Sequence, residues 1–162
     1  MSGTTTDLLQ LPAVVVGWAE GASLNDIGRA APFDLLTGRF EIPCGDPADI
    51  IAAEWQWLLK DARQSCWPEY QALIEVAYGE PRMRALYPYT SHWALSFSAT
   101  SYPFTPSFAT LLASHEGEYS LKEWWNGPTL ARVATATEAI AWAINRLPDH
   151  FDPANDRTRD NN

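Results

Sequence analysis

Between Arg84 and Trp93 the chain reads RALYPYTSHW, bringing a guanidinium, two phenols, two hydroxyls, an imidazole and an indole into one short stretch. An imidazole takes or gives a proton near neutral pH, and a phenol or guanidinium beside it polarises or anchors what it acts on. These residue types point to acid–base work on an organic substrate. In that reading His92 moves the proton and Tyr89 polarises, while Arg84, Ser91, Trp93 and Tyr87 bind the substrate. His115 joins the set if two strands pair as a hairpin around Tyr102 to Ser107, because both imidazoles then lie at one end of the sheet. A structural corner is the competing explanation. Pro88 stops a helical region, Thr90 to His92 lead into a strand, and Arg82 and Arg84 have Glu75 and Glu80 nearby to pair with.

Other chemistries find less support. Ser91 and His92 are adjacent, and neighbours on a strand point to opposite faces, so they make no triad. The sequence has no G-x-S-x-G elbow and no phosphate-cradling glycine loop. His115, Glu116 and a distant His92 supply at most three metal ligands, with neither H-x-H nor H-E-x-x-H spacing. The expectation is no metal, no nucleotide and no other cofactor. Cys44 and Cys66 lack C-x-x-C spacing and read as free thiols. In Trp124-Trp125, one ring faces outward if the strand there is regular.

The elements that must position these groups are legible as changes of period. AVVVGW (Ala13 to Trp18) is a β-branched run that reads as a buried strand. Ser23 and Asp26 open a brief helix ending near Ala31, and GRFEI (Gly38 to Ile42) alternates like a second strand. Asp46 and Pro47 start a helix whose stripe is Ile51, Trp55, Leu58, Leu59 and Ala62. Another helix runs from Pro68 through Tyr70, Leu73, Ile74, Ala77 and Tyr78, with Gly79 as its C′ residue and one further turn in RMRAL. From Trp93 the period falls to two: Trp93, Leu95, Phe97 and Ala99 alternate with smaller residues. SFATLLASH, YSLKEWW and TLARVAT follow, separated by EGE and NGP turns. Thr135 and Glu138 form a capping box for a last helix ending at Pro148. The fold predicted is α+β: one domain over residues 1–148, a four-stranded antiparallel meander with helices on one face, and a disordered polar tail over 149–162.

Composition bounds the partners. A net charge of −9, from 11 basic and 20 acidic residues, repels phosphate backbones and anionic membranes. Nucleic acid and membrane are therefore excluded as expected partners, while a basic protein is not. The opening MSGTTTDLLQ has neither a basic n-region nor an apolar h-region, so a cytoplasmic location is expected. Eight tryptophans with six tyrosines and six phenylalanines imply either a ring-rich core or an aromatic-lined pocket.

The run EVAYGEPRMRALYPYTSHWALSFS, with the later EGEYSL and TEAIAWAINRLP, resembles the bacterial domain-of-unknown-function family 6193, labelled as natural product biosynthesis proteins. That family carries an A-Y-x-x-P-x-L-R-x-L-x-P-x-T-S-H segment. Here Ala77, Tyr78, Pro81, Arg84, Leu86, Pro88, Thr90, Ser91 and His92 match it, and Met83 stands in place of leucine. The resemblance covers Asp46 to Pro148 and implies an accessory or tailoring protein of secondary metabolism. Its substrate would be a small metabolite or a carrier- or peptide-bound intermediate, with another pathway protein as a further partner. Two function classes follow: a cofactor-independent cyclase, isomerase or dehydratase, or a non-catalytic module that carries a metabolite or acts as an acidic immunity-type partner. A closed aromatic pocket reaching His92 favours the first, and a flat acidic face the second.

Overall fold

The structure, a computed structural model, describes residues 2–3, 5–33, 35–36, 46–100, 104 and 108–147. The chain divides into two compact units, residues 1–46 and 47–162.

In the first unit, β1 (Ser2–Gly3) pairs antiparallel with a later strand, and two helices lie between them, α1 (Leu11–Ala19) and α2 (Leu24–Ala30). The partner strand is β2 (Leu35–Leu36). The run Ala13 to Trp18, expected to be a buried strand, is helical and contributes no buried residue. Its ends decide the matter. Asp7 accepts from the Leu9 N–H at 3.0 Å and caps a 3₁₀ turn (Leu8–Gln10) that runs directly into α1, Pro12 fits the first turn of α1, and Gly21 at φ 77° closes the far end. Those signals outweigh the β preference of three valines, which is a weak prior. Ser23 caps α2 by accepting from the Asp26 N–H at 3.2 Å, as its spacing predicts. The proposed strand Gly38 to Ile42 lies outside the described residues.

The second unit holds the sheet and is α+β. Its helices are α3 (Pro47–Gln64), α4 (Pro68–Gly79), the single turn α5 (Pro81–Arg84) and α6 (Ala136–Ile144). Pro81 therefore opens a new turn immediately after α4, with Glu80 as its cap. The strands are β3 (Tyr87–Ser91), β4 (Ala94–Ser98), β5 (Thr110–Ala113), β6 (Tyr119–Lys122) and β7 (Thr129–Val133). They form a five-stranded antiparallel sheet in chain order. The four-strand reading missed β3 because Pro88 sits inside it. Counting outward from the two-residue turn 92–93, Ser91↔Ala94, Tyr89↔Ser96 and Tyr87↔Ser98 exchange ladder bonds. Pro88 opposes Phe97 between them, so its nitrogen faces away from β4 and no ladder bond is lost.

Alternation sorts the faces. Pro88 and Phe97, Thr90 and Leu95, and Leu111 and Leu121 are cross-strand partners turned toward α3, α4 and α6. The core is completed by Trp55, Leu58, Tyr70, Leu73, Ile74 and Ile140. Burying a leucine such as Leu58 contributes about 1.5–3 kcal/mol. Trp55 does more than fill space. Its indole N–H is shared by the carbonyls of Arg84 at 3.0 Å and Leu86 at 3.2 Å, which ties the start of β3 to the middle of α3.

Candidate functional site

The hairpin joining β3 and β4 turns at His92 and Trp93, with φ of 50° and 66°. Two-residue hairpin loops need this conformation, and asparagine or glycine normally supplies it. His92 and Trp93 adopt it at a cost of about 1–2 kcal/mol per residue. Trp93 therefore does not begin a strand; it sits at the tip, 47% exposed. The local twist also brings Ser91 Oγ within 3.1 Å of His92 Nδ1, a contact that a regular strand would forbid.

Around this tip lies a cluster of rings. Trp93 meets Tyr70 edge-on at 5.2 Å and Trp67 at 6.1 Å. Trp67 stacks on His115 at 4.1 Å and also touches Tyr70 at 5.9 Å. His92 stacks on Trp125 from the β6–β7 turn at 5.2 Å. Trp67 comes from the junction of α3 and α4, where the preceding residue, Cys66, also has positive φ, at 52°. Among the described residues, Cys66, His92 and Trp93 are the non-glycine positions with this backbone, and all three border one cluster. Backbone strain gathers at sites where function fixes the geometry.

Two buried polar atoms of the cluster lack hydrogen-bond partners among the described residues: Trp67 Nε1 and the Tyr70 hydroxyl. Burial, and secondarily the charge of Asp61, pushes the Tyr70 phenol well above the ordinary tyrosine range. Thr90 neighbours the phenol and pulls weakly the other way, without forming a well-aligned hydrogen bond. Both orphans are therefore protonated donors at neutral pH. Tyr119 borders α4, its hydroxyl donating to the Glu69 carbonyl at 3.3 Å; burial and then Glu69 raise its pKa as well.

The residues singled out from sequence are distributed over three places. His92, Trp93 and His115 enter the tip cluster, each imidazole on a different tryptophan. Tyr87 and Tyr89 share the sheet face opposite Thr90, where Phe104 stacks on them at 5.8 Å and 4.3 Å. Arg84 lies over the Tyr78 ring at 5.6 Å and, among the described residues, makes no ion pair; Glu75 instead pairs with Arg63 at 3.5 Å. Sequence reasoning missed Trp67 and Tyr70 as members of the site, and singled out Trp124-Trp125 without its tie to His92. The available signal was Tyr70 itself, a hydroxyl within an apolar stripe that burial obliges the fold to satisfy. Trp124 and Trp125 occupy a turn rather than a strand, with Trp124 exposed.

Cys66 is an exposed free thiol, while Cys44 lies outside the described residues. Among the described residues no three His, Cys, Asp or Glu side chains converge, and no helix is long and apolar enough to cross a membrane. A family of unknown function (DUF6193) matches residues 49–158. No curated protein and no solved structure matches the chain.

Proposed function

The chain belongs to that family of unknown function, DUF6193, and from that premise we propose a non-catalytic accessory role, with natural-product biosynthesis as its setting. In this reading the hairpin tip docks a basic segment of a partner protein that carries or processes the metabolite. One observation carries the proposal: the strained His92–Trp93 turn holds an exposed tryptophan and histidine at the edge of a ring cluster. Exposed aromatic side chains on a fixed backbone are the usual anchors of protein interfaces. The surroundings are acidic. Glu116 adjoins His115, Glu69 lies two residues from Trp67, and Asp61 acts on Tyr70. With a net charge of −9, this favours a cationic partner through both long-range attraction and cation–π contact.

Cofactor-free acid–base catalysis is the second reading, and the Ser91–His92 contact is what favours it. Against it, His92, Tyr89 and Arg84 are engaged by three different rings, Trp125, Phe104 and Tyr78. The test mixes purified chain with the purified products of the neighbouring genes and follows complex formation by gel filtration at low and high salt. A salt-sensitive complex lost in Trp93→Gly is expected. Glycine suits φ 66°, so the variant keeps the turn and tests the ring alone. Conversion of a pathway intermediate by the isolated chain, abolished in an equally stable His92→Ala, would replace this reading with the enzymatic one.

A further inference from the structure

A second site lies away from the hairpin tip and shares no residue with its cluster. Ala48, Ile51, Ala52 and Trp55 fall at i, i+3, i+4 and i+7 of α3, so they share one helix face. With Gln56, Tyr78, Arg84 and Ala85 they line a hollow of about 250 Å³ that is open to solvent on the side of Ala48, Ala52, Gln56 and Arg84. That is near the lower end of small-ligand sites, which run about 300–1,000 Å³.

Its chemistry is specific. Trp55 is fully buried and its N–H is already given to the Arg84 and Leu86 carbonyls, so it offers the cavity only an apolar ring. Tyr78 packs on Trp55 at 5.6 Å and accepts from Gln56 Nε2 at 3.4 Å. The alanines leave space that larger side chains would fill. Among the described lining residues Arg84 supplies the one charge. A guanidinium lying over a ring keeps its in-plane N–H donors for another partner, and Arg84 has no carboxylate partner among the described residues. Among the described residues no acidic one lines the hollow. In a chain with 20 acids and 11 bases this is a local reversal of the overall charge.

We infer that this cavity binds a small monocarboxylic acid with an aromatic or branched aliphatic body, its carboxylate on Arg84 and its body against Trp55, Ile51 and Tyr78. A single cation in otherwise neutral walls matches a single negative charge. A phosphate ester would bring a second charge, and no second cation among the described lining residues meets it.

The experiment titrates ¹⁵N-labelled full chain with phenylacetate, phenylacetamide and phenyl phosphate, followed by ¹H–¹⁵N spectra. Phenylacetate should give saturable shifts at the amides of Ala48, Ala52 and Ala85 and at the Trp55 indole. Phenylacetamide should bind more weakly by on the order of tenfold, the worth of one charge-assisted contact. Arg84→Gln should lose a similar factor while keeping the fold, since Trp55 holds the Arg84 carbonyl rather than its side chain. Ala52→Leu should fill the cavity and abolish binding, and Ala52 is solvent-facing enough to tolerate it. Absence of saturable shifts at these residues, equal binding of the amide, or unchanged affinity in both variants would overturn the assignment. Tighter binding of phenyl phosphate would overturn the carboxylate in favour of a phosphate ester. Because the two sites share no residue, neither outcome depends on whether the hairpin tip docks a partner.

Discussion

Tyr70 is a core residue by burial and an anomaly by chemistry, since its hydroxyl is enclosed without a partner. An unpaired buried hydroxyl costs about 1–3 kcal/mol, so Tyr70→Phe should raise stability by about 1 kcal/mol in denaturant unfolding. A loss of stability would mean that the hydroxyl is bonded after all. The same residue sets an alkaline limit. In the unfolded chain a phenol ionises near its ordinary pKa of 10.0, whereas burial keeps Tyr70 protonated in the fold. Above about pH 10 the folded state therefore binds more protons than the unfolded one, and stability falls as pH rises. Tyr119 is shifted in the same direction, so Tyr70→Phe should flatten this decline without removing it. Cys66 carries a different cost. It is exposed, at φ 52°, and glycine has no penalty there. Cys66→Gly should stabilise by about 1 kcal/mol while Cys66→Ala stays near neutral, measured by thermal midpoint.

At the scale of elements, termini proved more informative than interiors. The capping box of α6 was readable because all its parts are local. Thr135 Oγ1 accepts from the Glu138 N–H at 3.1 Å, and Glu138 Oε2 accepts from the Thr135 N–H at 3.1 Å. Thr135→Ala should cost about 1 kcal/mol in thermal unfolding, and Thr135→Ser should recover most of it. Helices α3 and α4 were legible for the same reason, with a proline at the first position and an apolar stripe behind it. Helix α1 was not, because its valines spoke for a strand while Asp7, Pro12 and Gly21 spoke for a helix. Strand β3 was hidden by a proline whose tolerance depends on which way its nitrogen faces, a property of the pairing and not of the residue. The hairpin tip was half visible. His92, Trp93 and His115 are notable as residue types, but Trp67, Tyr70 and Trp125 reach the cluster through contacts between distant segments, which no local pattern encodes.

For the molecule as a whole, β3 to β7 pair in chain order, so among the described residues β3 and β7 each bond a single neighbouring strand. On β3 the outward row of backbone donors is broken at Pro88, and Pro88 is fully buried, so the missing N–H is one that the fold would otherwise enclose away from its strand partner. On β7, Arg132 reaches the Glu118 carboxylate at 2.7 Å and keeps a charged pair beside the last strand. Pro88→Val retains the apolar bulk facing Phe97 while restoring the missing donor. It should lose about 1–3 kcal/mol in denaturant unfolding, because the new N–H is enclosed and faces away from β4. Unchanged stability would mean that a neighbouring acceptor takes up the new N–H. A residue that reads in the sequence as a helix stop is, in the folded chain, what lets a strand margin be enclosed with one polar group fewer.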